Sequence, residues 1–250
     1  MSGHSKWSTI KHKKARTDEK KGKEYTKLAK EIIIAARSGG GDPDSNSKLK
    51  LAIQNAKAVN MPNDNIARAI KRGTGDIESD MIEELTYEGY APGGVAVMLA
   101  IATDNRNRTA SDIRHLFSKH NGNLGENGCV AYMFDRVGLI EINRENIKVD
   151  VEEFMLQAIE AGADDVKEDE DIVEIITSPE NFMVVKEAVE KEVALEEADI
   201  VMMPSNTVEI NDEAMAAKIL KLIDVLEDHD DVQNVYANFS IPDEILEKLV

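Results

Sequence analysis

The chain has 250 residues, 30 of them Lys or Arg and 48 Asp or Glu, giving a formal net charge of −18 and an isoelectric point near 4.7. An apolar fraction of 42% excludes wholesale disorder, and the single cysteine, Cys129, excludes an intrachain disulfide. No apolar run approaches the ~20 residues of a membrane-spanning helix.

The charge is unevenly placed. Residues 1–75 carry 17 basic and 7 acidic side chains, whereas residues 76–250 carry 13 and 41. A polyanion is attracted locally by the first part and repelled by the second, because exposed charges are screened within roughly 10 Å at moderate salt.

In chain order, residues 1–15 lack apolar periodicity and read as a flexible basic arm. They also lack the apolar stretch of a secretory signal, so a reducing cytoplasm is the expected compartment. From about Arg16 to Ser38, Tyr25, Leu28, Ala29, Ile32, Ile33 and Ala36 recur at helical spacing, and Gly39-Gly-Gly41 with Pro43 ends the run. A second helix is predicted from about Ser45 to Asn60. A third begins at Pro62 and stops at Gly73 and Gly75. Three short amphipathic helices suggest a small bundle ending near residue 78.

Strands are predicted at Glu83–Tyr90 and Val95–Thr103 around the turn Ala91-Pro-Gly-Gly94, then a helix over Arg108–Asn121 and a strand over Val130–Phe134. Cys129 is expected to be a small apolar residue of that last segment. Residues 136–206 read as strand, helix, two strands, helix, strand, the ferredoxin-like order. A helix at Glu213–Glu227 and a strand at Val232–Ser240 supply what 79–135 lacks. The expected fold is therefore α+β: a basic arm plus three-helix domain (1–78), a split α/β sandwich (79–135 with 207–250), and a second ferredoxin-like sandwich inserted in it (136–206).

The candidate binding residues are cations. Lys6, Lys11, Lys13, Lys14, Arg16, Lys20, Lys21 and Lys23, with His12 and Trp7 among them, suit a phosphate backbone. Lysines grip phosphates as point charges, and Trp7 offers a stacking surface for an unpaired base. Lys71-Arg72 extends that footprint or caps the third helix. Thr103-Asp-Asn-Arg-Asn-Arg-Thr109 places Arg106 and Arg108 at a helix start, with Thr109 or Asn107 as the cap and both arginines left for a carboxylate or phosphate. The acidic clusters lack a calcium-loop register, and one Cys with five scattered His offers no zinc spacing. No nucleophile elbow, Walker loop or dinucleotide fingerprint is present. No catalytic site, metal, cofactor, small-molecule substrate or membrane partner is expected.

Several segments together resemble the YebC/PmpR family, which includes mitochondrial translational activators of cytochrome oxidase. They are Gly3-His-Ser-Lys-Trp7, Ile10-Lys-His-Lys-Lys14, Gly39-Gly-Gly-Asp-Pro43, Asn60-Met-Pro62, Asp64-Asn-Ile66, Ala69-Ile-Lys-Arg-Gly-Thr-Gly75, Tyr87-Glu-Gly-Tyr90, Pro92-Gly-Gly94, Thr103–Thr109 and Leu124-Gly125 with Gly128. The chain departs at Cys129, where Ser is expected, and at His120-Asn121, where glycine is common. The resemblance implies a helical first domain, two α/β domains, and one of two roles: a DNA-binding transcriptional regulator, or a ribosome-associated factor that binds RNA and assists synthesis of proline-rich stretches. A basic protein at the acidic interdomain face is a further partner to weigh.

Overall fold

The computed structural model describes residues 18–78, 80–169 and 171–249. They form two compact units. One spans residues 133–205, and the other joins residues 18–132 to residues 206–249.

The larger unit starts with three helices, α1 (Asp18–Gly39), α2 (Ser47–Ala58) and α3 (Asn63–Thr74). Their apolar stripes bury Ile32, Ile33 and Ala36 of α1 against Leu49, Ala52 and Ala56 of α2 and Ile66 and Ala69 of α3. Asn46 joins α1 to α2. Its Oδ1 accepts from Leu49 N at 3.1 Å, while its Nδ2 donates to Ala35 O at 2.8 Å and Gly40 O at 2.9 Å. Gly73 sets how closely α3 approaches α1, because a Cβ there would meet Ile33 O at 2.5 Å and Ala36 Cβ at 2.6 Å.

The same unit contains a four-stranded antiparallel sheet, ordered β3 (Asn123–Leu124), β1 (Glu83–Tyr90), β2 (Ala96–Thr103) and β9 (Val232–Ala237). Helices α4 (Arg106–Lys119) and α7 (Glu213–Glu227) cover it. Ile113 and Phe117 of α4 and Ile219, Leu222 and Leu226 of α7 share its core with Val97, Leu99, Ile101 and Val235. The β1–β2 hairpin lies at the centre of this sheet, with one edge strand delivered by each helical crossover. The chain closes with a short parallel pair, β8 (Val208–Glu209) with β10 (Phe239–Ser240), and α8 (Asp243–Leu249).

The smaller unit runs β4 (Phe134–Asn143), α5 (Val151–Glu160), β5 (Asp165–Glu168), β6 (Ile172–Thr177), α6 (Phe182–Val189) and β7 (Glu197–Pro204). Its strand order, β5-β6-β4-β7, with every neighbour antiparallel, is the ferredoxin-like arrangement. The fold is thus α+β, with N-terminal helices followed by two α/β sandwiches.

The expected strand at Val130–Phe134 does not form. β1 pairs with Asn123–Leu124 instead, and Phe134 opens β4. The reason lies in Glu88, whose Oε1 accepts from Gly128 N at 2.7 Å and whose Oε2 accepts from Val130 N at 2.7 Å and Ala131 N at 2.8 Å. Those amides serve a carboxylate and are unavailable to a ladder. Cys129 accordingly sits half-buried in a bend rather than a strand. Burial would raise Glu88, but these three hydrogen bonds outweigh it and hold the carboxyl below its ordinary range.

Candidate nucleic-acid interface

Helix α1 places Lys23, Lys27 and Lys30 at i, i+4 and i+7, on one side. All three turn into the protein. Lys27 Nζ donates to Glu227 O at 2.6 Å and Lys23 Nζ to Asp228 O at 3.2 Å. Lys30 Nζ donates to Ala102 O at 3.0 Å, Asp230 O at 2.9 Å and Asp231 Oδ1 at 2.7 Å. The lysine row therefore meets the C-terminal end of α7, where carbonyls project without partners in the helix and the dipole favours cations.

Asp231 ties this contact to the next element. Its Oδ2 accepts from Arg108 Nη2 and from the Thr109 hydroxyl, each at 2.8 Å. Thr109 also hydrogen-bonds Thr103 across 2.8 Å. Arg108 Nη2 donates to Asp104 Oδ1 at 2.9 Å as well. Burial alone would raise Asp231; the hydrogen bonds from Lys30, Arg108 and Thr109 reverse that and hold it far below the usual carboxylate range.

The cap of α4 differs from the sequence expectation. Asn105, rather than Thr109 or Asn107, receives the Arg108 amide at 3.1 Å, and the helix begins at Arg106. Thr109 is turned into the Asp231 network, and Arg108 is engaged by two carboxylates of its own chain rather than left for a ligand.

The cations that remain on the surface are fewer and differently placed. On α3, Arg68, Lys71 and Arg72 are exposed and lie opposite the buried Ile66, Ala69 and Gly73. None of the three forms an ion pair with another described residue. Lys48 and Lys57 of α2 are also exposed. Arg106 is exposed, and its carbonyl accepts from the Tyr87 hydroxyl at 3.3 Å. Burial raises Tyr87, while the nearby Arg106 and Arg114 partly counter the effect.

Of the residues proposed from sequence, Lys71, Arg72 and Arg106 are thus presented to solvent. Lys21 is exposed near the start of α1; Lys23 and Arg108 have partners in the protein. Lys6, Trp7, Lys11, His12, Lys13, Lys14 and Arg16 lie outside the described residues, and of Lys20 only the helical backbone is described. Arg68 was missed. The signal was available, since Arg68 precedes Lys71 and Arg72 by three and four residues on a helix whose apolar face is clear.

Two domains of one protein family match the chain. "TACO1/YebC protein N-terminal domain" covers residues 5–76, and "TACO1/YebC second and third domain" covers residues 82–239. A curated protein of Syntrophomonas wolfei, named "Probable transcriptional regulatory protein", is 69% identical over 251 residues, covering 100% of each chain. One of the same name from Natranaerobius thermophilus is 58% identical, covering 99% of each. The crystal structure of a conserved hypothetical protein from Aquifex aeolicus superposes with a TM-score of 0.85 at 53% identity, covering 95% of this chain and 97% of that one.

Proposed function

We propose that this chain, which belongs to the TACO1/YebC family, is a nucleic-acid-binding regulator of gene expression, acting on DNA as a transcriptional regulator and not as an enzyme. The regulatory names of its relatives support the role. The observation that carries it is the exposed Arg68–Lys71–Arg72 face of α3, within the same basic first 75 residues as the lysine-rich segment before residue 18. Opposite its apolar stripe this helix offers cations in adjacent turns, the spacing that lets one helix meet a phosphate backbone. Exposed Asn65, three residues before Arg68 and seven before Arg72, shares this face and adds an amide that can reach a base edge beside the backbone-gripping cations. The net negative charge of residues 76–250 favours approach by this basic part of the chain.

The test is binding of a labelled DNA duplex by fluorescence anisotropy between about 50 and 200 mM salt. Reversing Arg68, Lys71 and Arg72 to Glu is expected to weaken binding at least tenfold. The log–log salt slope should become shallower by about 0.9 for each phosphate that the protein no longer neutralises. Affinity insensitive to both salt and reversal overturns the reading. Competition by a structured ribosomal RNA fragment, in the same assay, decides whether RNA displaces DNA as the preferred target.

A further inference from the structure

The C-terminal turn of α4 and the exposed side of α7 enclose a cleft of about 290 Å³, lined by Lys119, His120, Asn121, Ala217, Lys218 and Lys221. Four of these six side chains are basic and none is acidic, in a chain with 48 acids and 30 Lys or Arg. Lys119, Lys218 and Lys221 form no ion pair with another described residue.

Lys119 lies in the last turn of α4, where it also complements the helix dipole, but Lys218 and Lys221 have no such structural duty. The last turn of α4 is closed by backbone: His120 N donates to Leu116 O at 3.2 Å and Phe117 O at 3.1 Å, Asn121 N to Ser118 O at 3.4 Å, and Gly122 N to Phe117 O at 2.8 Å. Lys218 and Lys221 lie mid-helix, away from either end of α7, and as like charges three residues apart they repel. Asn121 adopts a left-handed conformation, φ 60°, that turns the chain sharply at the edge of the cleft. His120 is half-buried there. Burial first, and then Lys119, Lys221 and His115, lower its affinity for a proton.

We propose that this cleft binds a phosphate group. The three ammonium groups supply the charge, and the neutral His120 ring and the Asn121 amide supply N–H donors. The His120 imidazole is the one ring in the lining, with no Phe, Tyr or Trp and one small apolar residue, Ala217, so the cleft offers a nucleobase little stacking surface. The volume lies just under the ~300 Å³ at which small-ligand sites start, and suits the phosphate rather than a large ligand around it. Two sources share this chemistry: a phosphodiester of a nucleic-acid backbone, and a free phosphate or pyrophosphate.

The test uses the full chain with 15N-labelled histidine and follows the His120 ring by NMR across pH, the resonance assigned with His120→Gln. Inorganic pyrophosphate is one probe and a short DNA duplex the other. An anion seated in the cleft offsets the neighbouring lysines and must move the His120 titration to higher pH. The shift is expected with pyrophosphate and lost in Lys218→Ala/Lys221→Ala, whose helix content by circular dichroism should match the parent. A shift with the duplex as well assigns the site to a nucleic-acid backbone; a shift with pyrophosphate alone assigns it to a free phosphate ligand. A titration unmoved by either probe, or moved equally in the double variant, overturns the proposal.

Discussion

Lys30 Nζ lies 2.7 Å from Asp231 Oδ1, although 201 residues separate the two in sequence. The pair is the centre of a network in which the first helix, the start of α4 and the end of α7 converge on one carboxylate. The lysine side chain is 16% exposed and the aspartate 6%, so water competes little for either.

Removing that carboxylate leaves a nearly buried ammonium without its counter-charge. Asp231→Asn is expected to destabilise the larger unit by about 3–5 kcal/mol, read by urea denaturation. The pH dependence has a definite sign. Asp231 is depressed in the folded state, so its contribution is full above the carboxyl's unfolded pKa of about 3.9 and is lost as pH falls toward the lower folded value. Parental protein should therefore lose stability below about pH 4, and Asp231→Asn should show a smaller slope there.

The inward and outward cations should separate cleanly in mutants. Lys27 donates to Glu227 O at 2.6 Å, whereas Lys71 and Arg72 are exposed. Lys27→Ala is expected to cost about 0.5–1.5 kcal/mol of stability with little effect on nucleic-acid affinity. Lys71→Ala with Arg72→Ala should weaken binding with stability changed by less than about 0.5 kcal/mol. Urea melts and anisotropy on the same preparations check both; the reverse pattern would refute the assignment of the two faces.

Gly73 lets α3 lie against α1. Gly73→Ala places a Cβ 2.5 Å from Ile33 O, a backbone atom that moves only with its helix. The bundle should lose about 1–3 kcal/mol, despite the better helix propensity of alanine. A stabilised variant in thermal unfolding would show that the two helices part without penalty.

In the smaller unit, Glu141 of β4 pairs in register with Glu174 of β6 and Glu197 of β7. Burial, then the Glu197 and Glu174 carboxylates, push Glu141 up to about 8. A carboxyl raised on folding supports the native state fully at acid pH and loses that support as pH rises through the folded value. Stability should therefore fall between about pH 4.5 and 8. Glu141→Gln should reduce this slope, the rest coming from Glu174 and Asp199 of the same unit, which folding also raises, and should gain on the order of a few kcal/mol at pH 8.5 over the parent. Guanidinium denaturation at several pH values reads the difference.

Much of the architecture was legible because the strongest signals are local. Ile32, Ile33 and Ala36 keep helical spacing whatever surrounds them, and Ile172–Thr177 reads as a strand from its β-branched residues alone. The segment at 130–134 misled for the opposite reason. Val130 to Phe134 has strand composition, but the amides of Val130 and Ala131 are claimed by Glu88, 42 and 43 residues earlier. No window of neighbouring residues contains that competitor. The α4 cap failed similarly, since Thr109 is a good capping residue whose hydroxyl is drawn to Asp231.

Sequence by itself determined the lopsided charge, the helical and sheet segments and their order, and the family to which the chain belongs, because each is written in residue identities and short-range periodicity. Tertiary structure alone decided which cations face outward. Lys23, Lys27 and Lys30 differ little in sequence from Lys71 and Arg72, yet the first three lie against the end of a helix 200 or more residues later and the last two face water. Whether an ammonium is available to a phosphate depends on what the fold brings within about 3 Å of it, and that distance is set by packing rather than by neighbours along the chain.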